Sequence, residues 1–110
     1  MKKKKLLFIC SENLNRSPTA ESLFKNNKKF KARSAGLGIL APTQISTGLI
    51  NWADIIFVMD EKYDNHKSRL LKRFPNSEDK IKILNIPDIY PRNDPELVDR
   101  LKQRLKSYLG

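Results

Sequence analysis

Short apolar runs alternate with stretches of helical spacing along the whole chain, and this alternation leaves few folds open. Leu6-Leu7-Phe8-Ile9 is a continuous apolar run suited to a strand buried on both faces. Ser17-Pro18 then opens a helix, with the serine as N-cap, the proline in the first helical position, and Ala20, Leu23 and Phe24 on the inner face. Phe30 to Ala35 reads as a second strand, ended by Gly36 and Gly38. Ile45, Leu49 and Trp52 fall at helical spacing, and Ile55 to Met59 is the clearest strand of all. A third helix is predicted over Glu61 to Phe74, stopped by Pro75, and a last strand over Ile81 to Leu84. Asp94-Pro95-Glu96 starts a final helix along which Val98, Leu101, Leu105 and Tyr108 repeat. The order β-α-β-α-β-α-β-α predicts a single three-layer α/β domain over residues 1–110, with a four-stranded parallel sheet and helices on both faces.

Ligands of such sheets bind beyond the carboxyl ends of the strands. The turn after the first strand, Cys10-Ser11-Glu12-Asn13-Leu14-Asn15-Arg16-Ser17, lies there. The backbone N–H groups at a helix start are unpaired and the dipole is positive, so the turn can hold an anion such as phosphate. Arg16 adds a planar fork able to grip two phosphate oxygens. A cysteine in this field is favoured as the thiolate, placed for in-line attack on phosphorus. Each residue alone has a plainer role: Cys10 as a small core residue, Arg16 on the surface, Ser17 and Asn13 as caps. A C-x5-R spacing is weak by itself, whereas strand, loop and capped helix together are specific. The Ser17 hydroxyl can accept from a backbone N–H and still donate to the thiolate.

The chain has 110 residues, 22 Lys and Arg against 12 Asp and Glu, and a formal net charge of +10. Such a balance attracts anions, phosphorylated substrates and nucleic acids among them. The basic runs, Lys2 to Lys5, Lys25 to Arg33 and Lys67 to Arg73, read first as solvated ends and helix faces, and no aromatic-studded basic motif of the RNA-binding kind accompanies them. The apolar run after the basic start ends at Cys10, short of the roughly 7–15 residues of a secretory core. No membrane span is expected, and with a single cysteine the chain reads as an unprocessed cytoplasmic protein. The lone cysteine excludes an intrachain disulfide and a multi-cysteine zinc site, so neither metal nor cofactor is expected. His66, the only histidine, reads as a solvated helix residue.

At this point the chain resembles a known family, the low-molecular-weight protein tyrosine phosphatases, whose domain is flavodoxin-like. Leu7-Phe8-Ile9-Cys10, Asn13 and Arg16-Ser17-Pro18-Thr19-Ala20-Glu21 are similar to that family's signature loop and following helix. Ser34-Ala35-Gly36, Ala53 to Asp60 with its Met59-Asp60 end, and Ile86-Pro87-Asp88-Ile89-Tyr90 are similar to further segments in the same order. The resemblance implies a Cys10 nucleophile, phosphate binding by Arg16 with the loop Ser11 to Asn15, and supporting contacts from Asn13, Ser17 and Ser34. It also implies that the segment around Asp88 carries the general acid. Three departures stand out. Asn15 occupies the position of a second loop cysteine, residues between Gly36 and Trp52 that help form the aromatic wall of the cleft are missing, and the acid loop lacks its proline after Asp88.

Asp88 follows the last strand on the same sheet edge as Cys10, whereas Asp94 has a structural role as N-cap ahead of Pro95. Asp88 is therefore the expected proton donor. Tyr90 either lines the pocket or packs under its loop, and Asp60 either orients loop residues or caps the following helix. The expected activity is hydrolysis of phosphotyrosine or a small aryl phosphate through a phosphocysteine, releasing inorganic phosphate. The partner is then a phosphorylated protein or a small phosphomonoester. A non-catalytic module that binds phosphoprotein or nucleic acid is the alternative. Arsenate reduction ranks lower, because it needs further redox cysteines.

Overall fold

The computed structural model describes residues 3–110; Met1 and Lys2, at the head of the first basic run, lie outside the described residues. Four parallel strands, β1 (Lys4–Cys10), β2 (Phe30–Gly36), β3 (Ile55–Val58) and β4 (Ile81–Ile83), form one sheet in the order β2-β1-β3-β4. Four helices, α1 (Arg16–Ser22), α2 (Thr47–Trp52), α3 (His66–Arg73) and α4 (Pro95–Leu109), connect and cover it. A 3₁₀ turn over Pro75–Lys80 leads into β4.

Period-two alternation divides β1 and β3 between two apolar layers. Leu6, Phe8 and Phe57 face Ala20 of α1 and Leu97, Leu101 and Leu105 of α4. Leu7, Ile9, Ile56 and Val58 face Ile50 of α2 and Leu70 of α3. Both faces of the central strands are thus buried, which is why they read as unbroken apolar runs. The ring of Phe8 stacks between Phe24 and Phe57 at centroid distances of 5.8 and 5.4 Å. Truncating such a buried ring to alanine costs about 3–5 kcal/mol.

The chain departs from its sequence-based outline at the helix starts. Helix α1 begins at Arg16 with Asn15 as N-cap, not at Ser17, because the Ser17 hydroxyl is turned into the site and makes no cap bond. Helix α3 begins at His66 rather than Glu61. The Asp60 carboxylate accepts from the N–H groups of Tyr63 and Asp64, which fixes a turn, and Asn65 is left-handed at φ 52°. Ile45 lies ahead of α2 on an extended segment bridged to β2, and Ser46 caps the helix by accepting from Leu49 N–H at 3.2 Å. On α4, Leu97 rather than Val98 enters the core, and Tyr108 is partly exposed with its ring edge against Phe57. Every non-glycine residue with positive φ among the described residues is an asparagine, namely Asn13, Asn26, Asn65, Asn85 and Asn93.

Chain order reverses at β1. The path leaves β1 for β2 on one side and returns to β3 on the other. The carboxyl ends of β1, β3 and β4 therefore open onto one crevice, where the loops after Cys10, Val58 and Ile83 meet.

Candidate active site

The loop from Cys10 to Arg16 curls because its carbonyls are drawn outward. Leu37 N–H donates to Cys10 O at 3.1 Å and Gly38 N–H to Ser11 O at 2.8 Å. Asn13 takes a left-handed φ of 56°, which tightens the turn. Among the described residues, no backbone N–H from Ser11 to Ser17 donates to a protein acceptor. A run of free N–H groups in a concave turn at a helix start is an anion nest. Gly36 is required beside it: a Cβ there would stand 2.6 Å from Ala41 Cβ and 2.9 Å from Ser11 O.

Cys10 Sγ lies 2.9 Å from Ser17 Oγ. Asn13 Nδ2 donates to the same oxygen at 2.9 Å. With that lone pair used, the serine hydrogen is directed at sulfur, its other acceptor being Ala35 O at 3.4 Å. Cys10, Ser11, Glu12, Leu14, Asn15, Arg16 and Asp88 line a cavity of about 180 Å³.

Arg16 is the largest fully buried side chain of the described residues. Its Nη1 donates to Asp64 Oδ2 at 2.8 Å and to Ile86 O at 2.9 Å. No hydrogen bond among the described residues uses Nε or Nη2, so one edge of the guanidinium faces the cavity. Asp88 Oδ1 stands 3.7 Å from Nε, on a half-exposed side chain.

His66 is not the solvated helix residue expected of it. It is fully buried at the first position of α3. Asp60 N–H donates to its Nδ1 at 3.0 Å, so the ring hydrogen sits on Nε2 and is donated to Ser11 Oγ at 2.9 Å. Burial, aided by the Arg16 cation and opposed by Asp64, lowers its pKa to about 4. The ring is therefore neutral at physiological pH, the state this pair of bonds requires.

Two expected neighbours lie elsewhere. Tyr90, expected at the pocket or under its loop, is buried in the core with Ile86 and Leu97 and does not line the cavity. The Ser34 hydroxyl donates to the Glu21 carboxylate rather than to the loop. Asp60 orients the turn after β3, while Asp94 sits at the N-cap of α4. Sequence reasoning passed over Asp64 and His66. Their one signal was position, a polar loop at the end of β3, on the same sheet edge as Cys10.

Strand order, crevice and loop together define the low-molecular-weight protein tyrosine phosphatase fold. A tyrosine phosphatase of this class, SP-PTP from Streptococcus pyogenes, superposes with a TM-score of 0.77 at 22% identity over 97% of this chain and 94% of that one. Wzb from Escherichia coli K30, a tyrosine phosphatase solved with phosphate, superposes with a TM-score of 0.76 at 23% identity over 99% and 100%. The YwlE arginine phosphatase from Geobacillus stearothermophilus gives 0.68 at 24% identity over 94% of each chain. No protein-family model matches the sequence, and no curated protein matches it. No helix among the described residues is long and apolar enough to cross a membrane.

Proposed function

We propose that the chain is a cysteine-dependent phosphomonoesterase acting on phosphotyrosine or a small aryl phosphate. The observation that carries this reading is the Ser11 to Ser17 nest of unpartnered N–H groups, with Cys10 Sγ at its base and the free edge of Arg16 beside it. Phosphate oxygens accept from the nest and from Arg16 Nε and Nη2. The Cys10 thiolate attacks phosphorus in line as the bond to the leaving oxygen breaks, and Asp88 gives that oxygen its proton. Water, deprotonated by Asp88, then attacks phosphorus and breaks the P–S bond. This releases inorganic phosphate and the thiolate, which the Ser17 hydroxyl stabilises. The donors are in place before reaction, so little reorganisation is needed.

Leu14 in the loop and Ile89, next in sequence to Asp88, are exposed, at 54% and 72%. Their apolar surface favours an aromatic leaving group over the cationic one of phosphoarginine. The test is a steady-state assay with p-nitrophenyl phosphate and phosphoarginine, comparing wild type, Cys10→Ser and Asp88→Asn. Loss of turnover in Cys10→Ser with vanadate binding retained, and a fall of about 10²–10⁴ in kcat for Asp88→Asn, is the expected result. Phosphate binding without hydrolysis in the wild type would leave the non-catalytic binder standing.

A further inference from the structure

A wide groove lies beside the loop and not within it. It has a volume of about 900 Å³ and runs between α1, the edge strand β2 and the segment after Asp88. Leu14, which also lines the 180 Å³ cavity, is the wall between the two. Lys25, Lys31 and Arg92 line the groove, with Lys3 at its far end. Its one carboxylate, Glu21, already accepts from Ser34. The wall carrying Arg92 is pinned, because Asn93 N–H donates to Thr19 Oγ1 at 2.9 Å.

The floor of this groove is an open sheet edge. β2 is the outermost strand, paired on one side only. In a parallel strand the N–H and C=O of one residue point to the same side, and alternate residues point to opposite sides. Gly36 N–H donates outward to Thr43 O at 2.8 Å, and Gly36 O accepts from Ile45 N–H at 3.0 Å. The outward set is therefore Phe30, Ala32, Ser34 and Gly36. Phe30 N–H is taken by Asn27 Oδ1 at 3.0 Å. Ala32 and Ser34 have no outward backbone partner among the described residues, and both line the groove. The segment that bridges Gly36 turns away at Pro42, so the pairing begun at Gly36 stops where the groove begins.

We propose that this groove binds an acidic, extended polypeptide segment, which adds to β2 by hydrogen bonds to Ala32 and Ser34 while Lys25, Lys31 and Arg92 take its carboxylates. Main-chain bonds to a sheet edge supply affinity, and the flanking charges select the partner. Leu14 joins this groove to the cavity, so the segment is the chain flanking a phosphorylated residue seated over Cys10. That last step rests on the phosphatase reading, whereas binding of the segment does not.

The experiment uses a fluorescein-labelled, unphosphorylated peptide of about ten residues rich in Glu and Asp, followed by anisotropy. The expected result is binding that weakens as salt is added, falls about tenfold or more in Lys25→Glu/Lys31→Glu, and falls similarly in Ala32→Pro. Proline is tolerated on an edge strand where its nitrogen faces outward, and the β1 pairing is kept. p-Nitrophenyl phosphate turnover in Lys25→Glu/Lys31→Glu stays at the wild-type level, which separates this groove from the catalytic loop. Hydrogen exchange gives a readout independent of folding in the variants: the wild-type amides of Ala32 and Ser34 become protected when peptide is added. Unprotected amides, or affinity unmoved by the charge reversals, would overturn the proposal. So would a single-stranded oligonucleotide that displaces the peptide and binds Ala32→Pro as well as wild type, or dimerisation through β2 that shuts the peptide out.

Discussion

His66 Nε2 lies 2.9 Å from Ser11 Oγ, so a side chain delivered after β3 holds the loop that follows β1. The same ring accepts Asp60 N–H through Nδ1. One neutral imidazole therefore ties the nest of free N–H groups to the neighbouring turn, and Asp64 on that turn anchors Arg16.

This arrangement makes stability depend on pH in a fixed direction. The folded pKa of His66, about 4, lies below the ordinary value of 6.5, so between these values the unfolded chain binds more protons. The contribution is complete above about pH 6.5 and is lost as pH falls toward 4, with a ceiling of about 3 kcal/mol. Urea midpoints at pH 7 and pH 5 should separate accordingly for wild type, and the gap should shrink in His66→Gln. An equal gap in both proteins would refute the assignment.

Ser17→Ala removes the hydroxyl 2.9 Å from the sulfur. A hydrogen bond to a charged group contributes about 1.5–3 kcal/mol, so kcat for an aryl phosphate should fall about 10–100-fold. KM should change little, because the nest N–H groups and Arg16 are untouched. Steady-state kinetics that show a KM effect alone would contradict this role.

Asp64→Ala frees Nη1 of a buried guanidinium, leaving Ile86 O as its remaining partner. KM and the vanadate dissociation constant should both rise about tenfold, since Arg16 loses the contact that orients it. Stability should drop by about 1–3 kcal/mol, because the buried guanidinium keeps only the longer carboxylate contact to the half-exposed Asp88, measurable in the same denaturation series.

Gly36→Ala and Gly38→Ala should diverge. A Cβ at Gly36 meets Ala41 Cβ and the backbone oxygen of Ser11, neither of which can yield without moving the loop. A loss of about 1–3 kcal/mol, together with reduced turnover, is expected there. At Gly38 the added carbon meets the exposed, flexible Glu12 carboxylate, which can swing aside, so thermal midpoint and activity should stay close to wild type.

The legibility of the molecule in its sequence followed burial. β1 and β3 are covered on both faces, so Leu6 to Ile9 and Ile55 to Val58 had to be continuous apolar runs and could be read as such. Cys10, Arg16 and Ser17 were legible because strand, loop and helix start carry them within eight residues of chain. His66 and Asp64 were not, since only the crossing of β3 beside β1 brings them to the loop, and local helical spacing gave His66 a solvated place. Tyr90 was left undecided for a related reason. A tyrosine near a polar loop reads equally well as pocket wall or as core, and tertiary packing alone chose the core.

The left-handed asparagines carry a consequence for how far this crevice can be redesigned. Asn65 precedes His66, Asn85 precedes the Ile86 carbonyl that holds Arg16, and Asn93 ties the segment after Asp88 to α1. At these three corners glycine is the natural replacement and β-branched residues are shut out by the backbone. At Asn13 the amide also steers Ser17, so even glycine fails. A saturation library over the rim would show three corners that accept one substitute and a fourth that accepts none.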